Sequence, residues 1–149
     1  MDGYEELSLR LPDGYEAYAR YWPAPNPRGA ILFHHGIQSH CGGFEASARN
    51  LTAAGYSLMQ PERRGCGRNM ADRGHAESAA QLIADSHVAR DQLLRRSGAR
   101  TFHLIGVSWG GKLAVAAYVD DPSGVSALTL VTPGLFPKVG VSKEQAATT

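Results

Sequence analysis

The sequence predicts an α/β fold in which a mostly parallel sheet carries helices on both faces. Three observations predict it. Apolar runs of strand length at residues 30–34, 56–60, 101–105 and 125–131 read as buried parallel strands. Segments at 44–54, 77–96 and 112–118 lie between them and carry apolar residues at helical spacing. Gly and Pro clusters punctuate the junctions. Strands and helices alternating in this way belong to a layered α/β sheet rather than to segregated β and α halves.

The elements follow in order. Residues 4–11 alternate polar and apolar, Pro12-Asp13-Gly14 is a turn, and 15–22 alternate again, which predicts a half-exposed antiparallel hairpin. Residues 23–29 form a short breaker-rich connection. The strand 30–34 ends in His35-Gly36-Ile37, where Gly36 is expected to give the chain freedom to turn. Phe44, Ala48, Leu51 and Ala54 mark one helix face, and Gly55 its stop. The strand 56–60 leads into a loop at 61–69. In the long helix 77–96, Ala79, Leu82, Ile83, Ser86, Ala89 and Leu93 form the inward stripe, with Arg90, Asp91, Arg95 and Arg96 outside. Strand 101–105, helix 112–118 and strand 125–131 complete the pattern; the tail 138–149 is polar and small and is expected to be disordered. By length, 1–149 is one α/β unit.

Gly106-Val107-Ser108-Trp109-Gly110 carries the chemistry. A G-x-S-x-G between an apolar strand and a helix is the setting of a nucleophile elbow. Small residues there admit a sharp bend without Cβ clashes, so the Ser108 hydroxyl stands clear of the sheet. The helix that follows aims its N-terminal amides at any oxyanion formed beside it.

Composition excludes several classes. With 43% hydrophobic and 19% charged residues the chain is a globular, soluble type. A formal charge of +1 gives no electrostatic case for nucleic acid or an anionic membrane surface. No apolar run is long enough to span a bilayer, and the first residues contain no basic-then-apolar leader. Cys41 and Cys66 lack metal-ligand spacing and read as a reduced pair, which points to the cytoplasm. Cys66 is read as a passive small residue.

His35-Gly36 followed by His40 and Phe44, then Gly55-Tyr56, Arg64-Gly65-Cys66-Gly67-Arg68, Arg73-Gly74-His75 and the pentapeptide together resemble the N-terminal half of an α/β-hydrolase. The resemblance covers residues 30–135 and is greatest to the monoacylglycerol lipase, lysophospholipase and serine aminopeptidase group. It implies an α/β-hydrolase-type sheet that stops before the acid-bearing strand, the histidine loop and the lid. It also implies hydrolysis of a small acyl ester through an acyl-enzyme, with no metal and no organic cofactor. Ser108 takes the nucleophile's place, the N–H groups of Ile37 and Trp109 that of the oxyanion hole, and His35, Gly36, Gly106 and Gly110 support the motif. His35 in this group packs and hydrogen-bonds behind the hole. Glu62 stands where Asp or Asn is usual, Asn69 where Ser is usual, and Val107 where His is common.

In this fold the triad runs Ser, then Asp or Glu, then His. No histidine follows Ser108, and the only later acids are Asp120, Asp121 and Glu144. The first two fall at the far end of the following helix, about 18 Å along its axis at 1.5 Å per residue. The triad acid and base are therefore unidentified; of the upstream histidines, His40 and His75 lie on loops that can approach the strand ends. Three readings stand: a serine hydrolase incomplete in this chain, a non-catalytic binding module, and a fragment whose apolar edge strand 125–131 drives self-association or pairing with a complementing chain.

Overall fold

The computed structural model describes residues 3–135. Six strands form one sheet: β1 (Glu5–Arg10), β2 (Glu16–Trp22), β3 (Gly29–His34), β4 (Tyr56–Pro61), β5 (Phe102–Val107) and β6 (Val125–Val131). The helices are α1 (Glu45–Ala53), α2 (Ala79–Ser97) and α3 (Trp109–Asp120). Strand order is β1-β2-β4-β3-β5-β6, antiparallel from β1 to β4 and parallel across β4, β3, β5 and β6.

Alternation along each strand divides its side chains between two cores. On one face Leu32, Met59 and Leu104 pack with Ala89 and Leu93 of α2 and Ala114 of α3. On the other, Trp22, Ile31, Phe33 and Leu58 pack with Ala48 of α1. Helices thus cover both faces. Truncating a side chain as buried as Leu93 costs about 2–5 kcal/mol.

The ends of the elements depart from the sequence expectation for local reasons. A 3₁₀ turn (Cys41–Phe44) precedes α1, and the His40 ring that caps it accepts from Gly42 N at 3.2 Å. Helix α2 begins at Ala79 rather than 77, because Ser78 Oγ accepts from Gln81 N at 3.1 Å. Ala79 is consequently exposed and the inward stripe starts at Leu82. Arg90 is not outside: it is largely buried, and donates to Asp121 at the end of α3 at 2.7 Å. Helix α3 starts at Trp109, three residues before 112, and β5 runs on to Val107. Gly55 (φ 93°) and Gly98 (φ 69°) hold the left-handed positions that end α1 and α2. The expected tail at 138–149 and Glu144 lie outside the described residues.

The sheet's two margins differ. β1 carries charges, with Glu5 bound to Arg96 and Glu6 to Arg68. β6 (VSALTLV) carries none, and among the described residues no strand pairs with its outer side.

Candidate active site

The parallel strands β3 and β5 are neighbours, and the chain turns sharply at the C-terminal end of each, where open α/β sheets place their ligands. At the end of β5, Ser108 has φ 52° and ψ −118°, a conformation costing a non-glycine residue about 1–3 kcal/mol. Three hydrogen bonds hold it there: Ser108 N donates to Val131 O at 2.9 Å, and Ser108 O accepts from Gly111 N at 2.9 Å and from Gly134 N at 3.4 Å. The flanking glycines have ordinary backbone angles and are required for space. A Cβ at Gly106 would lie 2.6 Å from Gly110 O and 2.7 Å from Gly111 Cα. One at Gly110 would lie 2.5 Å from the carbonyl oxygens of both His34 and His35. The left-handed residue of the bend is therefore the serine itself.

At the end of β3, Gly36 packs against the elbow, where an added Cβ would lie 3.5 Å from Ser108 Cβ. Gly36 does not adopt a positive φ; Gln38, with φ 50°, does so two residues later. Ile37 is 62% exposed. Neither the Ile37 N–H nor the Trp109 N–H has an acceptor among the described residues. For Trp109 this is the ordinary state of a first helical residue, whose amide has no partner one turn back.

His35 is buried and hydrogen-bonded on both nitrogens. Its Nε2 accepts from Arg63 N at 3.2 Å, so the proton sits on Nδ1 and is donated to Gly36 O at 2.8 Å. Burial, with the Arg63 charge beside it, pushes the His35 pKa down to about 4. His34, whose Nε2 meets Ser86 Oγ at 2.8 Å, is pushed down to about 3, again chiefly by burial. Both rings are neutral near pH 7.

Sequence reasoning missed Arg63. Its guanidinium donates to His35 O (2.7 Å) and Gly36 O (3.0 Å) and stacks over the Trp109 ring 4.5 Å from its centroid. One side chain thus ties the β3 loop to the first residue of α3.

Ile37 and Trp109 line a cleft of about 880 Å³ whose far wall is the 62–76 loop. Ser108 does not line it, but is half-buried next to Trp109. His40, Cys66 and His75 face the same space. The His40 Nδ1 is 4.0 Å from Glu62 Oε1 but accepts from Gly42 N, so its proton is on Nε2 and this pair does not form a base-and-acid relay. Glu62 is a brace: buried, it accepts from Cys41 N (3.2 Å) and Arg68 N (2.6 Å). The Cys41 thiol, 3.1 Å from that carboxylate, is pushed up to about 12 by burial and by Glu62. Asn69 is fully used, donating to Glu62 O and Arg63 O and accepting from Tyr18 N. Cys41 and Cys66 are free thiols.

The remaining candidates are engaged elsewhere. His87 meets Asp120 at 2.8 Å, Asp121 binds Arg90, and His103 meets Thr129 Oγ1 at 2.8 Å. Among the described residues no histidine or carboxylate hydrogen-bonds to Ser108.

The profile of the family described as serine aminopeptidase, S33, matches residues 25–148. Human monoglyceride lipase is 27% identical over 139 residues, covering 87% of this chain and 44% of that protein. The proline iminopeptidase of Xanthomonas citri is 28% identical over 134 residues, covering 89% of this chain and 40% of that protein. A thermostable carboxyl esterase from Bacillus coagulans superposes with a TM-score of 0.78 at 21% identity, over 86% of this chain and 44% of that one; this is a likeness of fold. The chain spans less than half the length of these relatives.

Proposed function

The chain belongs to the serine aminopeptidase S33 family, and from that premise we propose that it serves as the nucleophile-bearing part of a serine hydrolase of carboxylic esters. Ser108 attacks the ester carbonyl, the alcohol leaves, and water releases the acid from the acyl-enzyme. The amides of Ile37 and Trp109 hold the oxyanion, each donor contributing about 3 kcal/mol to the transition state. His35, Gly36, Gly106 and Gly110 keep those groups in place. Among the described residues no side chain stands as base or acid to Ser108, and the outer edge of β6 is where a further strand pairs. We place the reaction in the cytoplasm; no helix among the described residues is long and apolar enough to cross a membrane.

The observation that carries this reading is the strained Ser108 backbone, kept at φ 52° next to two amides without acceptors. Strain of this kind persists where the surroundings enforce it, and it collects at reactive groups. A fluorophosphonate probe tests it: slow labelling of the chain is expected, abolished in Ser108→Ala. A second reading, a non-catalytic module that binds an acyl ligand, is supported by Ser108 having no hydrogen bond to a histidine or carboxylate among the described residues. A folded chain that stays unlabelled at long exposure selects that reading instead.

A further inference from the structure

The cleft beside Trp109 concentrates positive charge in a chain whose formal net charge is only +1. Arg20, Arg63, Arg64, Arg68 and Arg73 line it, against one carboxylate, Glu62. Three of these arginines are neutralised at close range. Arg20 pairs with Glu45 at 3.1 Å, Arg64 with Asp13 and Asp85 at 2.7 and 2.8 Å, and Arg68 with Glu6 at 2.7 Å. Among the described residues Arg63 and Arg73 have no carboxylate within ion-pair distance. Glu62 does not serve them, since its oxygens face Cys41 N and Arg68 N.

The two unneutralised guanidiniums flank one loop. Arg63 is half-buried, spends Nη1 and Nη2 on the carbonyls of His35 and Gly36, and leaves its Nε–H without an acceptor among the described residues. The face of Trp109 fixes its plane. Arg73 is exposed and donates to Gly67 O at 2.9 Å, next to the Cys66 that Arg63 touches. A partly desolvated cation with spare donors gains more from an anion than an exposed, already paired one.

We propose that the cleft recognises an anionic group on the ester substrate, a carboxylate or a phosphate monoester, through Arg63 and Arg73. This assignment deepens the hydrolase reading and rests on it for the word substrate. Binding can be measured without turnover. Trp109 lines the cleft whereas Trp22 is buried in the second core, so quenching that Trp109→Phe removes reports on the site.

Hexanoate, hexyl phosphate and hexanamide share an alkyl chain and differ in charge. Quenching by at least one of the two anions is expected to saturate about tenfold more tightly than by hexanamide. Which anion binds identifies the group, and either supports the proposal. Arg73→Gln is expected to weaken that binding about tenfold, and Arg96→Gln, which removes the same charge far from the cleft, less than about twofold. Arg63→Gln should act like Arg73→Gln; because Arg63 also holds the β3 loop, Arg73→Gln decides if the former does not fold. Equal affinity for hexanamide, or equal effects of the Arg73 and Arg96 substitutions, overturns the proposal. Fluorophosphonate labelling is read separately. A labelled Ser108 without anion preference removes the cleft assignment alone, and anion preference without labelling removes the hydrolase reading alone.

Discussion

The turns after β3 and β5 lie side by side and are held by opposite means. The β5 turn is held by backbone alone: Ser108 keeps φ 52° because the carbonyl of Val131, the Gly111 amide and two crowded glycines leave it no other course. The β3 turn is held by side chains, through the His35 ring and the Arg63 guanidinium arriving from the end of β4. A backbone lock is indifferent to pH and sensitive to a single methyl group. A side-chain lock has the reverse sensitivities.

Among single substitutions, one that breaks the backbone lock costs most. Gly110→Ala places a methyl 2.5 Å from the His34 and His35 carbonyl oxygens and is expected to cost about 3 kcal/mol or more, read as a fall in the urea midpoint. It should also disturb the β3 turn, since those carbonyls belong to it.

Falling pH acts on the other lock alone. Folding depresses the pKa of His34 to about 3 and of His35 to about 4, below the ordinary value of 6.5. The folded state therefore binds fewer protons than the unfolded chain between those limits. The stability that these neutral rings contribute is complete above pH 6.5 and is lost as pH falls toward 4. The expected slope is roughly 1.4 kcal/mol per pH unit per histidine, read from urea midpoints across that window. A flat profile from pH 6.5 to 4.5 would contradict the buried, neutral assignment.

The smallest effect sharpens the comparison. Ser108→Gly removes the left-handed penalty and is expected to stabilise the chain by about 0.5–1 kcal/mol, whereas Ser108→Ala keeps the strain and gains nothing. Equal stability of the two variants would mean that the bend stores no strain.

The same contrast explains what could be read from the sequence. The elbow was legible because its determinants are five consecutive residues, and the strands because their apolar runs are short and bounded. The start of α2 was also written there, in the spacing of Ser78 and Gln81, but was masked by the apolar periodicity around it. Arg63 was not legible. It contacts His35 and Gly36 across 27–28 residues, and Trp109 across a still longer interval. Those contacts exist only because β4, β3 and β5 are consecutive in the sheet. The inward turn of Arg90 has the same origin, since Asp121 faces it only once α2 and α3 pack together. Likewise, no local rule separates the neutralised arginines of the cleft from Arg63 and Arg73, because every neutralising carboxylate lies 21 or more positions away in sequence.

We expect the uncharged outer margin of β6 to govern how this chain behaves in a test tube. A seven-residue ribbon of VSALTLV, with no strand on its outer side among the described residues, offers any neighbouring molecule a template. Melting scans should lose reversibility and drift in midpoint as the sample is made more concentrated, and dilution should restore them. Superimposable scans over a hundredfold dilution series would show that this flank is already satisfied.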